Sequence, residues 1–234
     1  MCGRVVQASE PLRYAFVDGL SVPDSRTRPP SYNVAPSQEL YVIRHNHKTG
    51  ERTLDLLRWG LIPHGCKDPD GGRKPINARA ESVASLPTFR AAYAKRRCIV
   101  PVESFFEWRA IKGARAKQPY AVAMKDRTPI AGLWENWRHP QSGEWIRTFA
   151  IITVPANNLV AQIHDRMPLI LLISAYERWL GVEPNPHGLL TPFPADLMVM
   201  WPVSTRVNSP DNDDASLLDP DGELSALPPS MLSG

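Results

Sequence analysis

Short blocks of apolar, β-branched and aromatic residues, separated by polar and Pro/Gly-rich stretches, dominate this chain. Such blocks suit a pleated, half-buried surface. Glu39 to Arg44 and Leu54 to Trp59 predict two strands around the polar turn His47-Lys48-Thr49-Gly50. Cys98 to Trp108, Tyr120 to Met124, Ile130 to Trp134 and Thr148 to Val154 predict further strands, with a late one over Leu197 to Val203. Helical signals are fewer and shorter. Ser9-Glu10-Pro11 reads as a helix start with Gly19 as its stop, Thr88 as the cap of a short helix ending near Arg97, and Asn157 to Ile163 as another. Ser174-Ala175-Tyr176-Glu177 has the spacing of a capping box. Arg28-Pro29-Pro30 and Lys67 to Pro75 read as loops. Many strands among few helices, with no regular βαβ rhythm, predict an α+β fold around an antiparallel or mixed, curved sheet. One domain is expected over residues 2–220. Asp, Ser, Pro and Gly accumulate from about Asp211, so looseness is expected from there, with 221–234 as a loose tail beyond the domain.

The chain has 234 residues, 43% of them hydrophobic and 22% charged, enough for a substantial core and unlike a disordered chain. It contains no apolar run long enough for a transmembrane helix, and Met1-Cys2-Gly3-Arg4 does not open a secretory signal. Three cysteines, Cys2, Cys66 and Cys98, do not suggest a disulfide framework, so a reducing, intracellular location is expected. A net charge of +3 says little about a polyanionic partner. Its distribution says more, with Arg26, Arg28, Arg58, Arg73, Lys74, Arg79, Arg90, Lys95, Arg96 and Arg97 all in the first half and acids frequent after Pro210. No cofactor is expected. The cysteines are isolated, no Cys-x-x-Cys or His-x-x-x-His pair suggests a metal, and no dinucleotide fingerprint is present.

Four residues could carry chemistry. Removal of Met1 would leave Cys2 with a free α-amine and a thiol on one residue. The amine can form a Schiff base with an aldehyde, and the thiol can close a thiazolidine on the same carbon. The competing reading, which Cys2 taken alone favours, is a cysteine that follows Met by chance and is buried. Asn77, in Asn77-Ala78-Arg79-Ala80-Glu81, could hold a substrate oxygen or a backbone amide, and Arg79 a phosphate. The competing reading is a turn Asn beside an Arg79–Glu81 surface pair. On one strand, Glu103, Phe105 and Glu107 would share a face. Glu107, flanked by Phe106 and Trp108, would be desolvated and its pKa raised, which suits proton transfer to a sugar oxygen. A rim carboxylate paired to an Arg is the alternative. His164, in Ile163-His164-Asp165-Arg166-Met167-Pro168, is either an acid–base residue or a satisfied polar turn.

The order of these segments carries a resemblance that no single one does. Met1-Cys2-Gly3-Arg4, Tyr32-Asn33-Val34-Ala35-Pro36, Trp59-Gly60-Leu61-Ile62-Pro63, Ile76-Asn77-Ala78-Arg79-Ala80-Glu81, Phe105-Phe106-Glu107-Trp108 and Ile163-His164-Asp165-Arg166-Met167-Pro168 together closely resemble the SRAP (SOS response-associated peptidase) family. The resemblance runs from Cys2 to about Pro220. It implies a single α+β domain with a β-rich, barrel-like central sheet and short flanking helices. It also implies a protein that senses abasic sites in single-stranded DNA by a thiazolidine crosslink at the N-terminal cysteine; separately, a monomer is expected. By position, Cys2 matches the crosslinking residue, Asn77 the Asn at the reacting centre, Glu107 the active-site acid and His164 the active-site His. Arg4, Arg79 and Arg166 match phosphate grips, and Arg73 and Lys74 are added as DNA contacts from the neighbouring loop. The chain departs from the family where a Trp often follows the Gly-Leu-Ile-Pro segment: here His64-Gly65-Cys66 stands instead, which removes a base-stacking or wedging aromatic. Two other functions stay open. One is a cysteine peptidase or amidase using Cys2 and His164. The other is a non-covalent single-strand binder using Trp59, Trp108, Trp134 and Trp137.

Overall fold

A computed structural model describes residues 2–9, 20–21, 28–46, 49–67, 74–124 and 128–221. The helix expected from Ser9 to Gly19, part of the 47–50 turn, Arg73 with most of its loop, and the tail beyond Asp221 lie outside the described residues.

The strands are β1 (Val5–Gln7), β2 (Leu20–Ser21), β3 (Ser31–Val34), β4 (Glu39–His45), β5 (Arg52–Trp59), β6 (Asn77–Arg79), β7 (Arg97–Val102), β8 (Ser104–Ala110), β9 (Lys117–Met124), β10 (Thr128–Arg138), β11 (Trp145–Pro155), β12 (Arg166–Pro168) and β13 (Met198–Pro202). They form two sheets. In the larger, β11, β10, β7, β4 and β5 follow one another, and β5 pairs back onto β11 through Arg58–Thr148 and Trp59–Phe149. That last pairing closes a five-stranded barrel, which removes the free edges of the sheet. β6 continues beside β11, with Asn77 opposite Ile151, and β12 pairs with the end of β11, with Pro168 opposite Thr153. The second sheet has the order β13-β9-β8-β1-β3.

Alternation along the second sheet explains its burial. Val5, Phe105 and Val122 face the main core, while their neighbours Val6, Phe106 and Ala121 face a smaller core completed by Val203, Val207 and Leu217. The sheet is therefore covered on both faces, and its outer cover is the segment after β13. This corrects the expectation of looseness from Asp211: Leu217 is fully buried, and Trp201 Nε1–H donates to Leu218 O at 2.8 Å.

Cys98 to Trp108 is two strands rather than one. The break falls at Glu103, whose N–H donates to Val6 O at 3.0 Å and whose Oε2 accepts the Ala8 N–H at 3.0 Å. The chain leaves the barrel here and enters the second sheet, so Glu103 braces β1. The short helices are α1 (Arg90–Lys95) and α2 (Tyr176–Leu180). Phe89 and Ala175 hold their N-cap positions, neither with a side-chain cap bond, so neither Thr88 nor Ser174 caps as expected. Glu177 instead forms an ion pair with Arg52 of β5. Asn157 Oδ1 accepts from Leu159 and Val160, and a single 3-10 turn over Val160–Gln162 replaces the helix expected there.

Candidate active site

The junction that closes the barrel also places Asn77. Trp59 stacks on Phe149 with ring centres 6.1 Å apart, and its Nε1–H donates to Ile76 O at 3.0 Å. Gly60 has φ +127° and its N–H donates to Phe149 O at 2.9 Å, while Ile151 N–H donates to Ile76 O at 2.9 Å. The residue before Asn77 is thus held from two strands.

Cys2 lies just ahead of β1. Val5 pairs with Phe105, and Phe106 N–H donates to Arg4 O at 2.9 Å; the same register carried back sets Gly3 against Glu107. Glu107 shares the face of Phe105, so it points toward the main core where Cys2 is fully buried; Glu107 itself is 2% exposed. Burial pushes the Cys2 thiol well above its ordinary range, and the negative charge of Glu107 adds to that. A hydrogen bond from the Arg4 backbone N–H works in the opposite direction. From the other sheet, Asn77 Nδ2–H donates to Cys2 O at 2.9 Å. Asn77 Oδ1 is buried and has no hydrogen-bond partner among the described residues. The fold therefore brings Cys2, Asn77 and Glu107 together from three places in the chain.

His164 sits in the turn leading into β12. The Arg166 N–H donates to its Nδ1 at 2.9 Å, while Asp165 Oδ1 lies 3.0 Å from the same nitrogen. Both cannot be satisfied by a neutral ring. A backbone N–H always carries its hydrogen, whereas the Asp165 side chain is 86% exposed and solvated. The backbone bond therefore decides the tautomer, and the ring hydrogen is on Nε2.

The expected phosphate grips are placed unequally. Arg79 and Lys74 are exposed. Arg4 Nη1–H donates to Asn33 Oδ1 at 2.7 Å and to Val207 O at 2.8 Å, with its guanidinium 5.9 Å from the centre of the Trp108 ring. It therefore helps fasten the C-terminal segment. Arg166 engages both carboxylate oxygens of Glu81, so the partner of Glu81 comes from a distant strand as well as from the charge of nearby Arg79. Trp59, Trp134 and Trp137 are buried, and Trp108 Nε1–H donates to Asn208 Oδ1 at 2.7 Å. The exposed tryptophan is Trp145, 54% accessible, which lines a cleft of about 440 Å³ with His64, Lys95 and Arg96. Sequence reasoning missed it, because an aromatic at the start of a strand looks the same whether it is covered or not. Asn33 and Asn208 were missed for a related reason: Asn33 donates to the carbonyls of Val207, Ser209 and Asn212, and Asn208 accepts from Trp108, all far away in sequence. Among the described residues, no group of three or more His, Cys, Asp and Glu could hold a metal ion, and no helix is long and apolar enough to cross a membrane.

The family model of SOS response associated peptidases (SRAP) matches residues 1–210. The chain belongs to the SRAP family. Among SRAP relatives, the abasic site processing protein YoaM of Bacillus subtilis is 40% identical over 201 residues, covering 83% of this chain and 87% of that protein. The abasic site processing protein HMCES of Xenopus tropicalis is 33% identical, covering 81% of this chain and 65% of that longer protein. A crystal structure of a protein from Bacteroides thetaiotaomicron superposes with a TM-score of 0.83 at 26% identity, over 94% of this chain and all of the other. The SRAP assignment and the β-rich, barrel-centred fold agree with what the sequence implied.

Proposed function

We propose that this SRAP protein processes abasic sites in single-stranded DNA by a covalent crosslink through Cys2. The observation that carries the reading is the convergence on Cys2. Asn77 holds its carbonyl at 2.9 Å, and the charge of Glu107 acts on its thiol. The names of the curated relatives support the substrate class.

Hydrolysis of the Met1–Cys2 bond exposes the Cys2 α-amine. Asn77 Oδ1, the buried acceptor beside it, is suited to receive an N–H of that amine. The C1′–O4′ bond of the sugar ring breaks as O4′ gains a proton from Glu107 or His164 and the C1′ hydroxyl gives up its own, which frees the aldehyde. The amine adds to C1′, a molecule of water leaves, and an imine forms. The Cys2 sulfur then adds to the imine carbon, its proton passes to the nitrogen, and the thiazolidine closes. The reaction is aldehyde plus aminothiol giving thiazolidine plus water, with no change of oxidation state. Ring closure is favoured because both nucleophiles belong to one residue held in place. Arg79 and Lys74 are exposed and suited to flanking phosphates.

The test is direct. Purified protein is incubated with a single-stranded oligonucleotide bearing one abasic site, boiled in detergent and run on a gel. A retarded band is expected, absent with Cys2→Ala and absent with an intact strand. A band that survives in Cys2→Ala, or no band from protein shown by mass spectrometry to begin at Cys2, overturns the reading.

A further inference from the structure

Asn77 and His164 lie on segments that flank the same strand. Thr153 of β11 pairs with Arg79 of β6 on one side and with Pro168 of β12 on the other. Its carbonyl accepts the Ala80 N–H at 2.9 Å and Arg166 Nη2–H at 2.6 Å. The Arg166 side chain crosses from β12 at this point. Nη1–H donates to Glu81 Oε1 at 2.5 Å and Nη2–H to Glu81 Oε2 at 3.0 Å. A planar guanidinium held on two parallel bonds has one orientation, unlike an ammonium. The main chain of the same Arg166 donates to His164 Nδ1 at 2.9 Å.

We infer that Glu81 is a positioning residue: through Arg166 it ties β6 to β12, sets the gap between Asn77 and His164, and keeps the His164 hydrogen on Nε2. The inference rests on the function proposed above and deepens it. Glu81 is also an acid two residues beyond exposed Arg79, in the turn that follows β6. Its charge opposes DNA binding, so removing it should help binding while harming the reaction. These opposite directions separate positioning from a simple electrostatic role.

The experiment uses the full-length protein with Glu81→Ala and the near-isosteric Glu81→Gln, both checked for an unchanged fold by circular dichroism. Single-turnover crosslinking at saturating abasic oligonucleotide is compared with the Kd for an intact strand. Glu81→Ala should crosslink about 10- to 100-fold more slowly, the penalty of small misplacements in a reacting pair. Its Kd for the intact strand should be unchanged or lower. An unchanged rate, or a rate and affinity that fall together, overturns the inference. The second readout needs no DNA chemistry. With ¹⁵N-labelled histidine, assigned by His164→Gln, the wild-type His164 spectrum should show hydrogen on Nε2, and Glu81→Ala should shift it toward mixed tautomers. An unchanged His164 spectrum overturns the inference. Should the wild type form no adduct, the crosslinking function fails while the spectrum still decides the role of Glu81.

Discussion

The Cys2 and Cys98 thiols are both fully buried and both pushed upward, by burial first and, at Cys2, by Glu107 next. Cys66 is only partly covered. In the folded protein iodoacetamide should therefore label Cys66 first, with Cys2 and Cys98 at least about tenfold slower near pH 8, as followed by mass spectrometry. Glu107→Gln removes a negative charge, lowers the Cys2 thiol, and should speed labelling at Cys2 but not at Cys98. Equal acceleration at both would mean that the substitution merely loosened the core. Glu81 provides a second test at this scale. The Arg166 hydrogen bonds hold its carboxyl below the usual range. A depressed acid stabilises the fold above its unfolded pKa, and that contribution is lost as the pH falls through the folded value. The melting temperature of the wild type should exceed that of Glu81→Gln at about pH 6, and the gap should close toward about pH 3. A gap that stays constant through that window would contradict the assignment.

Between elements, the critical contact is where β5 ends on β11. Gly60 has φ +127°, a conformation that a side chain rarely adopts, and a Cβ there would also lie 3.5 Å from the Lys74 Cβ. Gly60→Ala should destabilise by about 1–3 kcal/mol, read as a lower urea midpoint. The Gly60 and Leu61 amides, bonded to Phe149 O and Pro75 O, hold the segment that delivers Asn77. The same substitution should therefore slow crosslinking at temperatures where the protein is still folded. Gly132 of β10 illustrates a different constraint, close approach. An added Cβ would meet Ala150 O and Cys98 Sγ, each at 3.0 Å, so the barrel wall has no room there.

For the molecule as a whole, the segment after β13 acts as the outer wall of the second sheet. Asn33 Nδ2 lies 3.3, 2.9 and 2.7 Å from the carbonyls of Val207, Ser209 and Asn212, and Arg4 joins at Val207. Asp221 N–H still donates to Pro202 O at 2.9 Å. A chain ended after Asp221 keeps all of these contacts and serves as the reference. A chain ended after Val203 loses Val207 and Leu217 from the smaller core. At roughly 1.5–3 kcal/mol for each large buried side chain, it should melt far lower or fail to fold. Retained stability in the shorter chain would mean that the second sheet tolerates an open face.

Local chemistry made much of this protein readable from its sequence. The apolar, β-branched blocks marked β4, β5, β10 and β11, because a strand announces itself by its own residues. The ordered segments around Cys2, Asn77, Glu107 and His164 marked the family, and with it the candidate site. Pairings between distant residues were not readable. Barrel closure through Trp59 and Phe149, the break at Glu103 and the burial of Leu217 each depend on partners remote in sequence. So does the capture of Glu81 by Arg166, for which the sequence offered only the neighbouring Arg79. A residue's type and neighbours determine which strand it joins and what chemistry it could perform. Only the folded chain decides which carboxylate meets which guanidinium, because that depends on register across strands that the sequence separates by tens of residues.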